Sequence, residues 1–228
     1  CPVEIEFAVN IFEDSTKVSE FYLLQIKPMV LTTTKTISFE EMGKNEIFSE
    51  SQITLGNGTS YDIKNLLYLR TDKYDPSQSN KIAKEIESYN NNIGSTNSYI
   101  LAGPGRWGSA DPWLGVPINW QQISHAKIII EIGHKDFPVD PSFGSHFFQN
   151  LTSLHIGYFT IDNKNKNDFI NDSWLDEYEP KERGEYIEWY QFNNPFKTII
   201  DGLSGNGKIL IPNSEDNIKM NEEDSTGI

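Results

Sequence analysis

Two runs near the start of the chain alternate apolar and polar residues with a period of two, the pattern of a β-strand whose faces differ. In CPVEIEFAVN, Glu4 and Glu6 alternate with apolar residues, so an extended strand places both carboxylates on one face. In EFYLLQIKPM, Gln25 and Lys27 alternate with apolar neighbours in the same way. If the two runs pair as a hairpin, one face carries two carboxylates, an amide and an ammonium group.

The next part of the chain predicts two strands joined by a turn. The segment EIFSESQITLGNGTSYDIKNLLYL begins with a strand-like run, and Gly56–Gly58 form a tight turn after it. The apolar run that closes the segment predicts a second strand over Asn65–Leu69.

The clearest helix is predicted in DPSQSNKIAKEIESYNN. Ile82, Ile86 and Tyr89 are spaced so that they share one face of a helix. Asp75 or Ser77 can cap its start, and the asparagines mark its end.

The remaining chain alternates strands with irregular segments. SYILAG predicts a strand that runs into a glycine-rich loop, and HAKIIIEIG predicts a strand covered on both faces, because it is almost continuously apolar. GSHFFQNLTSLHIGYFTI predicts a short helix from Ser145 and then another buried strand. WLDEYEPKERGEYIEWYQF is acidic and aromatic and predicts a helix leading into an edge strand.

These elements indicate a mixed α/β, β-rich fold. Residues 1–35 form the terminal hairpin and a connector, residues 36–212 form a compact α/β domain, and residues 213–228 form a polar tail. A chain of 228 residues is long enough to bury a sizeable core.

Composition and charge exclude several classes of protein. The formal net charge of -14, with no block of lysines and arginines, argues against binding to nucleic acid or to an anionic membrane. The single cysteine, Cys1, excludes an internal disulfide and suits a reducing cytoplasm. No apolar run approaches the roughly 18 residues of a membrane span. A start on a strand without methionine is expected of a fragment of a longer protein.

The hairpin resembles the last two strands of the ATP-grasp domain of phosphoenolpyruvate synthase and pyruvate phosphate dikinase. The family pattern is an acid, an apolar residue and Glu in one strand, then Gln-x-Arg-Pro in the next; VEIEFAV and FYLLQIKPM resemble it. The resemblance implies that Glu4 and Glu6 coordinate Mg²⁺ and that Gln25 is an active-site glutamine. Lys27 stands where the family has the catalytic arginine that contacts phosphate, and it replaces a planar fork by a point charge.

A glycine-rich loop, GPGRWGSADPWLG, is the second candidate site. Its turns can form an anion-binding nest beside Arg106, with Trp107 as a stacking wall for a ligand. The alternative is a rigid loop whose Trp107 and Trp113 cover the edge of the core, and Asp111 could hold Arg106 in an internal ion pair. No helix pattern follows, so the loop is neither a Walker loop nor a dinucleotide fingerprint.

His146 is the third candidate. His125, His134 and His155 lie next to or between apolar strands, where a structural or exposed role is expected. His146 follows Gly144-Ser145 at the start of a predicted helix, where backbone amides would stabilise a phosphorylated imidazole.

The order AKIIIEIG, FGSHFFQNL and SLHIGYFTI resembles the swivelling phosphohistidine domain of the same enzymes, although the family's threonine before the histidine is missing. A longer stretch that includes GPGRWGSADPWLG and GSHFFQNLTS and covers most of residues 36–160 also resembles the carboxyl-terminal region of large bacterial proteins described as phosphoenolpyruvate/pyruvate-binding. The resemblance implies a cytoplasmic, bacterial, ATP- and Mg²⁺-dependent phosphotransferase (a kinase). The chain would be its carboxyl-terminal part, partnered by an upstream ATP-grasp domain, inactive by itself, and with His146 as phosphoryl acceptor.

Two alternatives remain open. The domain after the hairpin could be a non-catalytic or regulatory module that holds a small anionic metabolite at Arg106, or it could only brace the ATP-grasp lobe.

Overall fold

A computed structural model describes residues 3–12, 17–28, 43–133, 151, 154–162 and 164–212. They belong to two compact units, one within Cys1–Thr36 and the other within Ile37–Ile228. The architecture is a β-rich mixed sheet with few helices, in agreement with the predicted mixed α/β class. Within the described part of the chain, none of the helices combines the length and the apolar character needed to cross a membrane.

The first unit is the predicted hairpin. Its strands, β1 (Val3–Asn10) and β2 (Glu20–Pro28), pair antiparallel. The register changes after Glu6, where Leu24 is left without a partner in a β-bulge. Before the bulge the alternation of both strands is preserved, so the polar positions of β1 stay opposite those of β2.

The second unit is built on one large sheet. Its order is β11-β3-β14-β13-β5-β6-β9-β10-β4, with β12 beside β13, while β7 and β8 form a separate pair. In chain order the strands are β3 (Ile47–Ser51), β4 (Ile53–Leu55), β5 (Gly58–Leu69), β6 (Tyr99–Pro104), β7 (Arg106–Trp107), β8 (Gly115–Val116), β9 (Ala126–Ile132), β10 (Gly157–Ile161), β11 (Phe169–Ile170), β12 (Glu182–Arg183), β13 (Ile187–Asp201) and β14 (Asn206–Leu210).

The large sheet curls round and closes on itself. Strands β5, β6, β9 and β10 are parallel, and the flanking strands are antiparallel. Strands β3 and β4 lie near opposite ends of the hydrogen-bonded order, yet only Gln52 separates them in the chain. The hydroxyl of Ser51 donates to the Thr160 carbonyl at 2.6 Å and so ties β3 to β10. The sheet therefore has an inner and an outer face.

Each face carries its own core. The outer face packs against helix α1 (Ser79–Ile93), which buries Ile82, Ile86 and Tyr89 as predicted. The inner core fills the space between opposite sides of the curled sheet. Phe159 on β10 packs so closely against Gly207 on β14 that a Cβ at Gly207 would touch its ring. The short helix α2 (Asp172–Leu175) adds Trp174 to this inner core, at the end where the parallel strands finish.

Two predicted boundaries differ from the structure. Strand β5 begins at Gly58, the last residue of the predicted turn, and not at Asn65. Asp75 caps a short 3-10 turn by accepting from the Ser77 amide at 2.8 Å, and α1 begins only after that turn. The helix ends before Gly94, whose φ of 75° lies in the left-handed region that glycine adopts without strain.

The predicted edge strand is the first part of the long strand β13. Residues 187–191 pair with β5 on one side and meet only the two-residue β12 on the other, whereas Lys197–Asp201 lie between β5 and β14. Glu188 lies in the first part, yet it is buried because basic side chains surround its charge.

Candidate functional sites

The hairpin brings the predicted metal and phosphate residues into register. Glu4 lies opposite Lys27 and Glu6 opposite Gln25, so all four positions share one face, as the alternation predicted. Glu6 and Gln25 are exposed. Positions two apart on a strand are about 6.6 Å apart, and opposite residues are about 5 Å apart, so the four positions lie close together on this face.

The other face of the hairpin is apolar and exposed. Phe7 and Phe21 stack with their ring centroids 5.1 Å apart, yet both remain about half exposed. Ile5, Val9 and Ile26 extend the same surface. An apolar sheet face of this kind is suited to packing against another layer of structure.

The glycine-rich loop is a tight structure closed by backbone pairing. Strand β7 pairs with β8 at the two ends of the loop. A Cβ on Gly115 would overlap the Arg106 carbonyl oxygen, so only glycine allows this approach. Gly105 and Gly108 take φ values of 79° and 82°, the left-handed region that glycine favours.

The structure places Trp107 in the outer core. Its side chain is 1% exposed, and its indole Nε1 donates to the Ile130 carbonyl at 3.0 Å. The ring therefore does not form an exposed stacking wall, which favours the rigid-loop interpretation for this residue. Trp113 is 67% exposed, and Asp111 accepts from its backbone amide at 2.9 Å. Arg106 is half-buried.

A buried carboxylate supports this loop from below. Glu131 of β9 is fully buried and accepts from the Trp107 amide at 2.9 Å and from the Tyr158 hydroxyl at 2.5 Å. Sequence reasoning missed this residue, although an acid inside the apolar run AKIIIEIG indicates a buried carboxylate that needs hydrogen-bond donors. The carboxylate links β9, β10 and the loop at the carboxyl ends of the parallel strands.

A charged cluster occupies the end of β5. Arg70 Nε contacts Glu188 at 2.7 Å, Lys73 contacts the same carboxylate at 2.8 Å, and Arg70 also pairs with Asp176 at 2.7 Å. The Tyr190 hydroxyl donates to Glu188 at 2.8 Å. Sequence reasoning missed the cluster because its members come from segments more than a hundred residues apart.

The cluster fixes the charge state of its members. Burial disfavours the ionised form of Glu188, but hydrogen bonds from Arg70, Lys73 and Tyr190 outweigh burial and lower its pKa to about 2. Next to the cluster, Tyr68 donates to Asp172 at 2.6 Å, and burial raises the pKa of Asp172. Ion pairs satisfied in this way are typical of a structural network, in which no group is left to act on a ligand.

The histidines divide into two groups. His146, the predicted phosphoryl acceptor, and His134 lie outside the described residues. His125 is half-buried beside β9. His155 is exposed just before β10, and its φ of 54° is unusual for a residue other than glycine.

The described side chains include no cluster of three or more histidine, cysteine, aspartate or glutamate residues that could hold a metal ion. Metal binding at the hairpin would therefore draw its remaining ligands from phosphate, water or another segment. No protein-family model matches the chain, and neither a curated protein nor a solved structure shows a significant match to it.

Proposed function

We propose that the hairpin is the metal- and phosphate-binding strand pair of an ATP-dependent phosphotransferase of the phosphoenolpyruvate synthase type. The observation that carries the proposal is the antiparallel register, which pairs Glu4 with Lys27 and Glu6 with Gln25. Two acidic positions beside a cationic and an amide position suit a magnesium–triphosphate complex, because carboxylates can hold the metal and a cation can contact the phosphates.

Each of the four hairpin residues has a role that follows from its chemistry. Mg²⁺ supplies charge neutralisation between phosphate groups when ATP is bound. The carboxylates of Glu4 and Glu6 hold the metal, because hard oxygen ligands suit it. Lys27 contacts the phosphates as a point charge, and Gln25 orients them by hydrogen bonds. The nucleotide-binding lobe and any further metal ligands come from an ATP-grasp segment outside these 228 residues.

The second unit is proposed to follow the ATP-grasp domain as a swivelling phosphohistidine-type domain, with His146 as the phosphoryl acceptor. The sequence order that resembles such a domain supports this, because buried strands β9 and β10 flank the segment that contains His146. The burial of Trp107 favours a structural role for the glycine-rich loop over an anion site at Arg106.

The test uses the intact polypeptide, that is, this chain joined to the sequence proposed to precede it. Titration calorimetry with ATP in excess Mg²⁺ is compared for wild type, Glu4→Gln and Glu6→Gln. Each change is expected to weaken Mg²⁺-dependent binding at least about tenfold, since each removes a charged metal ligand.

Glu20→Gln is the matched control. Glu20 is an exposed acid on the same hairpin, opposite Asn10 at the far end, and its removal should leave ATP binding unchanged. If all three variants bind Mg·ATP as the wild type does, the hairpin is not the metal site and the proposal fails.

A further inference from the structure

An open cleft lies at one end of the curled sheet in the second unit. Its walls come from the first residues of β5, β9 and β10 and the last residues of β13, and it encloses about 350 Å³. Helix α2 lies at the opposite end, where the parallel strands finish. The volume suits a small organic molecule, since ligand sites begin at about 300 Å³.

The floor of the cleft is apolar. Ile63, Ile128 and Ile200 line it, and all three belong to the inner core. A Cβ on Gly157 would lie 2.5 Å from Ile128 Cδ1 and 2.9 Å from Ile200 Cδ1, so the glycine leaves room for the isoleucines. An apolar group of a ligand can rest on this floor without displacing the core.

A buried hydroxyl in the wall has no partner. Thr198 lines the cleft and is 2% exposed, and its Oγ1 forms no hydrogen bond. Thr198 lies opposite Ser60 on β5 and opposite Ile209, an inner-core residue, on β14. A buried hydroxyl without a partner destabilises the fold, and a ligand oxygen could supply the missing bond.

The rim of the cleft carries exposed basic groups. Lys127 and His155 are both exposed, and among the described residues no carboxylate forms an ion pair with Lys127. The acid on the rim, Asp62, is already engaged by the Ser60 hydroxyl at 2.6 Å. In a chain with a net charge of -14, an unpaired ammonium beside a cleft is a local site for an anion.

We propose that this cleft binds a small organic acid with an apolar body and a hydroxyl at its far end. The carboxylate pairs with Lys127 and His155 at the rim, the body lies on the isoleucine floor, and the hydroxyl reaches Thr198. None of the residues that carry this proposal belongs to the hairpin, and His146 is not among them, so the two proposals can fail separately.

The test uses the full chain with ¹³C-labelled isoleucine δ1-methyl groups and four matched probes. 4-Hydroxyphenylacetate carries all three features; phenylacetate lacks the hydroxyl, 4-hydroxyphenylacetamide lacks the charge, and tyramine reverses it. Each probe is titrated to about 10 mM, because molecules of this size reach only millimolar affinity.

The hydroxy acid is expected to shift the methyl signals of Ile63, Ile128 and Ile200. It should bind about tenfold more tightly than the amide, since only the acid forms a charge-assisted contact. Lys127→Met should reduce that preference, because only the contact with His155 is left. Lys64→Met is its control, because Lys64 is an exposed lysine on β5 outside the cleft and its removal should change nothing.

Thr198→Val separates a ligand-binding hydroxyl from a merely structural one. It should raise the thermal midpoint of the free protein, because a buried unpaired hydroxyl is lost, and also weaken the hydroxy acid about tenfold. Thr160→Val is the matched control: its hydroxyl is also buried without a partner, but it lies outside the cleft, so only the midpoint should rise.

The proposal is overturned if 4-hydroxyphenylacetate does not bind. It is equally overturned if the amide or tyramine binds as tightly as the acid, if the shifted methyls belong to α1, or if Thr198→Val binds the hydroxy acid as the wild type does.

Discussion

Replacing Glu188 by glutamine removes the carboxylate that holds the charged cluster at the end of β5. The side chain of Glu188 is 2% exposed, and it accepts from Arg70 at 2.7 Å and Lys73 at 2.8 Å. Glutamine has nearly the same shape as glutamate, but it carries no charge and presents an NH₂ donor where one carboxylate oxygen accepted a hydrogen bond. Both cations then lose their shared buried partner.

The solvent exposure of Arg70 and Lys73 determines how much stability Glu188→Gln should lose. Breaking a fully buried ion pair costs about 3–5 kcal/mol. Arg70 and Lys73 are 18% and 31% exposed, so water can solvate them in part, and Arg70 keeps Asp176 at 2.7 Å. Glu188→Gln is therefore expected to lower the free energy of unfolding by about 2–3 kcal/mol at neutral pH.

The loss depends on pH. Because the pKa of Glu188 falls from 4.5 to about 2 in the folded protein, its contribution is complete above pH 4.5 and disappears as the pH falls through 2. That difference corresponds to at most roughly 3–4 kcal/mol, which is of the same order as the estimate from exposure. The other acids titrate equally in the wild type and in Glu188→Gln, so the difference between their free energies of unfolding reports on Glu188 alone.

Urea unfolding at about pH 7, 5.5, 4 and 3 measures the difference. All five tryptophans belong to the second unit, so their fluorescence reports its unfolding. Glu50→Gln is the control: its contact with Lys208 is 3.6 Å and partly exposed, so it should lose less than about 1 kcal/mol. A Glu188→Gln loss below about 1 kcal/mol at pH 7, or one unchanged at pH 3, would refute the reasoning.

Two further predictions concern the loop support and the hairpin. Tyr158→Phe removes one donor to the buried carboxylate of Glu131 and should destabilise the second unit by about 1–3 kcal/mol in the same urea assay; an unchanged midpoint would show that this hydrogen bond contributes nothing. Under the proposed function, Lys27→Arg in the intact polypeptide introduces a planar guanidinium that can contact phosphate with two hydrogen bonds and should tighten Mg·ATP binding several-fold by calorimetry, whereas weaker binding would place the phosphates elsewhere.

Elements with a local signal were predictable from the sequence. The hairpin follows from the period-two alternation around Glu4 and Gln25, and α1 follows from the spacing of Ile82 and Ile86. Strand β9 was evident from its apolar run. In each case the residues that determine the element lie within a few positions of one another.

Features that depend on distant partners were not predictable. Glu188 reads as a surface acid until β13 is paired with β5, which brings Arg70 from more than a hundred residues away. The cleft likewise needs the closure of the sheet, because Thr198 and Lys127 lie on β13 and β9, strands that are not neighbours in the sheet order.

Phosphoryl transfer from ATP to His146 is tested by incubating the intact polypeptide with Mg²⁺ and ATP labelled in turn at the β and γ phosphates. Wild type is compared with His146→Ala and with Glu6→Gln. We expect an acid-labile, base-stable label on the wild type that is absent from both variants. Equal labelling of wild type and His146→Ala, or no labelling of a wild type that binds ATP, would overturn phosphoryl transfer to His146.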